Sequence, residues 1–143
     1  MERYERINLL RHCLSQARVP VPAQRVGLAD HGPQVALAGR SLLCIDTPGH
    51  ARHHLCVWDA RSASWFTGDT FGLSYRELDS ANGPFILPTS SPVQFEPEPL
   101  QASIARMLAQ APQAMYLTHF GRVEDVARLA AERHEQGDAM GSL

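Results

Sequence analysis

Residues 41–50 read SLLCIDTPGH, an apolar run that leads into a proline, a glycine and a histidine. The run shows little alternation with polar residues, which favours a strand buried within a sheet. Proline fixes φ and glycine permits a sharp bend, so the chain can leave the strand and direct the next side chain into a cleft. The stretch therefore predicts that His50 follows a buried strand, where it could bind a metal ion.

Two later segments also place a metal-competent side chain at the end of an apolar run. Residues 64–67 lead into a glycine and Asp69, and residues 113–117 lead into a threonine and His119. Zinc binds imidazole and carboxylate at about 2.0 to 2.2 Å, and one carboxylate can join two ions about 3.5 to 4 Å apart. Each residue alone could be an ordinary turn or cap residue. Three strand ends in the order His, Asp, His predict a metal centre.

The other histidines have less specific surroundings. One of His53 and His54 is expected to hydrogen-bond or pack beside the site, because ligating groups need such partners. His12, His31 and His134 lie on a predicted helix, in a turn and near the tail, and they are expected to be solvated.

Length and composition limit the class of protein. The chain has 143 residues, 44% of them hydrophobic, which suffices for one domain with a core. A formal net charge of -2 gives no basic field for nucleic acid or a membrane surface. The three cysteines show no CxxC spacing, and we see no signal peptide and no apolar run near the roughly 18 residues that span a bilayer. We expect a cytoplasmic protein that acts on a small molecule.

The remaining patterns predict one partial domain over residues 1–143. Its parts are a helix over 1–18, strands with the first two motifs over 19–72, an irregular loop over 73–99, a helix, a strand and a further helix over 100–136, and a tail over 137–143. With five prolines, the loop is too long for a mere connection and is predicted to be a functional loop or lid. The apolar side chains in or beside the loop could line a substrate cleft or anchor the loop in the core. They are Phe71, Tyr75, Phe85, Ile86 and Phe95.

The segments TPGHARHH, FTGDT and LTHFG resemble the second half of the metallo-β-lactamase fold superfamily, over roughly residues 19–129. The resemblance implies an α+β fold, a four-layer αββα sandwich, with one or two metal ions, usually zinc, at the sheet edge. It implies His50 as a ligand of the first ion, His119 as a ligand of the second, and Asp69 as the bridging, catalytic carboxylate. His54 matches a recurrent histidine that lies beside the ligands. The motifs are silent on substrate.

An HxHxDH segment supplies four further ligands in this superfamily, and the sequence contains none. Asp30 and His31 form an upstream Asp-His pair, but it lies in a Gly-Pro turn without a preceding HxH. Each ion would have two ligands, whereas a catalytic zinc normally has three from the protein. We therefore expect weak or absent zinc binding by this chain alone. An incomplete sandwich, with the back-half sheet and flanking helices, would also leave an apolar sheet face through which the chain could self-associate.

Three interpretations stay open. The chain could be a truncated form of a hydrolase in which metal-bound hydroxide attacks an ester, thioester or lactone, inactive without the missing half. It could be one half of a split or dimeric enzyme whose other chain brings the missing ligands. It could also be a non-catalytic binding module that retains the scaffold.

Overall fold

A mixed sheet organises the described part of the chain. The computed structural model describes residues 22, 24, 32–90 and 94–132. Within these ranges the sheet has six strands in sequence order, each antiparallel to its neighbour except for the parallel pair β4 and β5. The strands are β1 Gln34–Leu37, β2 Arg40–Asp46, β3 Leu55–Asp59, β4 Ser64–Gly68, β5 Ala114–Leu117 and β6 Gly121–Val123.

Strands β2, β4 and β5 point in the same direction. β2 and β4 are each antiparallel to β3, which lies between them, and β5 is parallel to β4. The carboxyl-terminal ends of the three strands therefore meet at one edge of the sheet. The TPGH, GDT and THFG segments follow these strands, so the topology brings the three motifs together.

The longer described helix, α1 (Pro97–Leu108), packs on one face of the sheet. Proline is tolerated in its first turn because the N–H groups there have no partner within the helix. Leu100 and Met107 are buried, and the Trp65 indole N–H donates to the Met107 carbonyl at 3.0 Å. A second helix, α2, begins at residue 126 and is described to residue 132. No described helix combines the length and the apolar character that a bilayer crossing requires.

The core lies between the helices, the loop and one face of the sheet. Residues directly opposite each other on neighbouring strands direct their side chains to the same face of the sheet. The core face therefore carries the partners Ile45 and Cys56 and the partners Trp65 and Met115. The core side chains come from five strands, both helices and the loop. They are Ile45, Cys56, Trp65, Phe71, Ile86, Met107, Met115, Leu117, Val123, Val126 and Leu129. The predicted α+β class is confirmed.

The opposite face of the sheet carries apolar side chains that remain exposed. Phe66 is 45% exposed and stacks on Tyr116 with ring centroids 5.0 Å apart. Val35, Leu37 and Leu55 lie on the same face and are also exposed. Self-association through this face stays a prediction.

Backbone hydrogen bonds close the first part of the predicted loop over residues 73–99. Leu73 and Leu87 exchange backbone hydrogen bonds of 3.0 and 2.8 Å, and a 3-10 turn covers Arg76–Leu78. Phe71 and Ile86 flank this pairing, and both are fully buried. These two side chains therefore anchor the loop in the core and do not line a cleft.

Two element boundaries differ from the sequence prediction. Helix α1 begins at Pro97, inside the region predicted as loop, because proline is compatible with a first helical turn. Val123 lies three residues before Val126, which fits the apolar face predicted for the last helix, but the structure places Val123 in β6, which pairs with β5. The predicted helix over residues 1–18 and the tail over residues 137–143 lie outside the described residues.

A buried carboxylate fixes the turn between β3 and β4. Asp59 accepts hydrogen bonds from Arg40 Nη1 at 2.6 Å, the Arg61 N–H at 3.0 Å and Ser62 Oγ at 3.1 Å. Burial alone would raise the pKa of the Asp59 carboxyl, but these hydrogen bonds and the Arg40 charge together hold it below its usual value of 3.8.

Asp59→Asn is expected to destabilise the fold at neutral pH and to have little effect in acid. The folded-state pKa of Asp59 is depressed, so its stabilising effect is present above about pH 3.8 and is lost as the pH falls through the folded pKa. Urea denaturation of both proteins between about pH 2 and pH 7 checks this expectation. A difference in unfolding free energy that stayed constant over that range would contradict it.

Candidate metal centre

The TPGH turn is fastened to helix α1. The Glu96 N–H donates to the Gly49 carbonyl at 2.7 Å, and Ser103 Oγ donates to the Pro48 carbonyl at 2.8 Å. Gly49 has φ +132 and lies directly against the Leu100 backbone, where a Cβ atom would overlap it. The glycine of the motif is thus required by both its conformation and its close approach to the helix.

His50 is oriented by the loop. Its Nδ1 lies 3.0 Å from the Thr89 carbonyl oxygen, which can only accept, so Nδ1 carries the hydrogen of the neutral ring. The lone pair is then on Nε2, which lies 3.4 Å from Asp69 Oδ2. The His50 side chain is 11% exposed. When the ring is neutral, a largely buried imidazole nitrogen thus directs its lone pair toward a carboxylate.

Asp69 lies between two imidazole rings. Its Oδ2 faces His50, and its Oδ1 lies 3.5 Å from His119 Nε2. The main chain of Asp69 is held separately, because its N–H donates to His54 Nε2 at 3.1 Å and its carbonyl accepts from Thr89 Oγ1 at 2.6 Å. Within the described residues, Oδ1 is buried and accepts no hydrogen bond.

This donor set fits a cation. Two lone pairs that face each other repel, and a buried carboxylate oxygen without a donor is unfavourable unless a positive charge lies nearby. Two donors at zinc-ligand distance from one tetrahedral ion lie roughly 3.3 Å apart. The 3.4 Å and 3.5 Å separations of Asp69 from His50 and His119 are close to this value.

The number of donors is smaller than a catalytic ion requires. The described residues contain no group of three or more His, Cys, Asp or Glu side chains that could hold one ion. His50 with Asp69 gives two donors, and Asp69 with His119 gives two more, whereas a catalytic zinc usually has three protein ligands.

His54 lies beside the candidate metal centre and hydrogen-bonds to the main chain of Asp69. Its Nε2 accepts from the Asp69 N–H, so Nδ1 carries the hydrogen and donates to Thr70 Oγ1 at 2.9 Å or Thr47 Oγ1 at 3.1 Å. Gly68 leaves the space for the ring, since a Cβ atom there would overlap it. Burial and, to a lesser extent, the neighbouring His50 lower the pKa of His54 from 6.5 to about 4. The ring is therefore neutral at pH 7 and both its nitrogens are engaged.

The THFG turn is held in an uncommon conformation. Phe120 has φ +71, a region that bulky side chains rarely adopt and that costs about 1 to 3 kcal/mol. Arg76 Nη2 donates to the Phe120 carbonyl at 3.2 Å and to the Arg122 carbonyl at 2.8 Å, which stabilises the turn. His119 precedes Phe120 and has a 53% exposed side chain.

The structure brings together the three residues predicted as ligands, and their role as ligands stays a prediction. His54 lies beside them, while His53 is exposed. His12, His31 and His134 lie outside the described residues.

Sequence reasoning missed three threonines that orient these groups. Thr47 and Thr70 are the polar residues within the TPGH and GDT segments, and their position beside the candidate ligands is a signal that could have been used. Thr89 lies in the irregular loop, where no periodicity or motif marks it.

No protein-family model matches the sequence, and the curated proteins give no match. Among solved structures, the chain is similar to an archaeal metallo-beta-lactamase superfamily protein from Sulfolobus tokodaii, with 23% identity and a TM-score of 0.66 over 95% of this chain and 52% of that chain. A flavodiiron core from Synechocystis is 18% identical, with a TM-score of 0.63 over 92% of this chain and 34% of that one. A metallo-beta-lactamase family protein from Thermus thermophilus is 22% identical, with a TM-score of 0.56 over 85% and 36%.

These similarities are similarities of fold. The chain spans about half the length of the Sulfolobus protein and about a third of the other two, so the activity of a whole protein does not follow from them. The match nevertheless covers 95% of this chain in the first of these structures. The described residues therefore have the metallo-β-lactamase fold in part.

Proposed function

We propose that the chain carries part of the metal centre of a hydrolase. His50 and Asp69 would hold one cation, and Asp69 and His119 a second. The observation that carries this proposal is the Asp69 carboxylate, which lies between two imidazole nitrogens at 3.4 and 3.5 Å and has a buried oxygen without a hydrogen-bond donor.

The chain's own residues would fix the geometry of such a centre. A bound divalent cation supplies a Lewis acid that polarises a carbonyl and lowers the pKa of water from 15.7 to about 7. The Thr89 carbonyl accepts from His50 Nδ1, which fixes the tautomer and raises the basicity of Nε2. His54 holds the Asp69 main chain and stays neutral, so it adds no positive charge that would repel a cation.

Zinc is the metal that we favour. Imidazole and carboxylate donors suit zinc, and they also suit iron, manganese and other first-row metals. The flavodiiron core to which the chain is similar was soaked with metal. The reaction that we favour is hydrolysis of an ester, thioester or lactone, since a net charge of -2 does not favour a polyanionic substrate.

A second candidate function is a non-catalytic binding module. The observation that favours it is the absence of a three-donor group among the described residues. A split or dimeric enzyme, in which another chain supplies the further donors, accounts for the same observation and keeps the catalytic function.

Zinc titration of the full chain distinguishes these functions. We expect weak binding, with a Kd of about 10 µM or higher, since two donors supply much less than the roughly 10 to 16 kcal/mol of a complete structural zinc site. His50→Ala should remove the part of this binding that depends on His50 and Asp69, and leave the Asp69 and His119 pair in place. His53→Ala is the matched control, because that histidine lies in the same segment but is exposed. A folded chain that binds no zinc at millimolar concentration would favour the binding module and contradict the metal centre.

A further inference from the structure

An aromatic pair lies at the surface beside His119. The rings of Tyr75 and Phe120 have centroids 4.4 Å apart and are tilted by 44°. Tyr75 is 40% exposed and Phe120 is 45% exposed. The Phe120 ring centroid lies 6.5 Å from that of His119, so the pair borders the candidate metal centre on its open side.

The Tyr75 and Phe120 side chains are not part of the hydrophobic core. Phe71 lies just before the loop that carries Tyr75 and Ile86 lies within it; both are fully buried and already anchor that loop. Tyr75 and Phe120 instead leave 40% and 45% of their surfaces in water, and these parts gain nothing from burial within the fold. The exposed parts of the two rings are therefore available to a ligand.

The conformation of Phe120 argues in the same direction. Its φ of +71 favours glycine or asparagine, and a bulky side chain there is strained. Strain of this kind persists where the surrounding structure holds it and is concentrated at functional sites. Arg76 holds the strained turn through two carbonyl groups, and its chain neighbour Tyr75 contacts the ring. The loop and the turn thus act together to present one aromatic surface.

We propose that Tyr75 and Phe120 bind the aromatic part of the substrate, an ester or thioester that carries an aryl group, next to the ligand His119. This inference rests on the proposed function for the position of the reacting bond, and it names the substrate class. An aryl ring can pack edge-to-face or offset against the exposed rings, which gives about tenfold in affinity over a ligand without a ring. A straight or branched small acyl group would leave the pair uncovered.

Two carboxylates that differ by one ring test the proposal. Binding of phenylacetate and of acetate to the full chain is measured by calorimetry, without metal and with saturating zinc. We expect phenylacetate to bind at least about tenfold more tightly than acetate. Tyr75→Ala should reduce this preference to less than about twofold, and Tyr75→Phe should retain it, because the ring and not the hydroxyl makes the contact. Phe120→Gly should also remove the preference while relieving the strained backbone.

Phe66→Leu is the matched control. Phe66 is also 45% exposed and also packs on a tyrosine, but it lies on a sheet face rather than beside His119. An equal loss of preference in Phe66→Leu, or an equal loss in Tyr75→Phe and Tyr75→Ala, would overturn the proposal.

The proposed metal centre and the proposed aromatic subsite can fail separately. Zinc binding without ring preference overturns the aromatic subsite alone, while ring preference in a chain that binds no zinc supports the subsite and overturns the metal centre.

Discussion

Gly49→Ala is expected to destabilise the protein by about 3 kcal/mol or more. Gly49 has φ +132, which an L-residue rarely adopts, and its Cα lies against the Leu100 backbone. A Cβ atom would overlap main-chain atoms that no side-chain rotation can move. Either the turn changes its conformation or helix α1 shifts away from the sheet.

Both responses affect more than the turn. Leu100 is buried in the first half of α1, and the same helix carries Met107 into contact with Trp65. His50 follows the glycine directly, so a changed turn also alters the 3.4 Å separation between its Nε2 and Asp69. We therefore expect the loss of stability to be accompanied by a loss of zinc binding.

Gly39→Ala is the matched control for Gly49→Ala. Gly39 also has a positive φ, +77, but a Cβ atom there would meet nothing within 4 Å. Its substitution tests the conformational cost alone, about 1 to 2 kcal/mol. Chemical denaturation of the three proteins gives the two differences in unfolding free energy. Equal losses in the two variants would show that the contact with α1 contributes nothing.

The position of the candidate centre was predictable from the sequence for a physical reason. Each motif follows an apolar run, and each run is a strand. Strands β2, β4 and β5 point the same way, so His50, Asp69 and His119 reach the same sheet edge. A short apolar run that ends in a turn is a local signal, and it survives in any fold that buries the strand.

The groups that orient the candidate ligands were not predictable in this way. Thr89 contacts both His50 and Asp69 but lies in a loop, where a residue's partners depend on the path of the chain and not on any local period. Val123 illustrates the opposite error, since its spacing from Val126 fits a helix while its backbone pairs with Met115 in β5. Pairing with the preceding strand overrides a local pattern of three residues.

Asp69→Asn is expected to lower zinc affinity by at least about 100-fold. Mutating a residue that only orients a metal ligand lowers metal affinity by about 10- to 100-fold, and loss of a ligand should cost at least as much. The amide retains the shape of the carboxylate but loses its charge and one acceptor atom. Zinc titration of the wild type and the variant measures the effect. Asp79→Asn is the matched control, since Asp79 is 32% exposed against 28% for Asp69 and pairs with Arg76 outside the centre.

The metal-free Asp69→Asn variant is expected to be at least as stable as the wild type, and this separates a ligand from a structural carboxylate. The main chain of Asp69 is fixed by His54 and Thr89, neither of which touches the carboxylate oxygens. Without a cation, the carboxylate faces imidazole nitrogens on both sides and has a buried oxygen without a donor, whereas an amide N–H can donate to one of the rings. Under the proposed hydrolase function, the same substitution should abolish activity while the fold persists. Wild-type zinc affinity in the variant would refute the bridging role, and a large loss of stability in the metal-free variant would show that the carboxylate serves the fold instead.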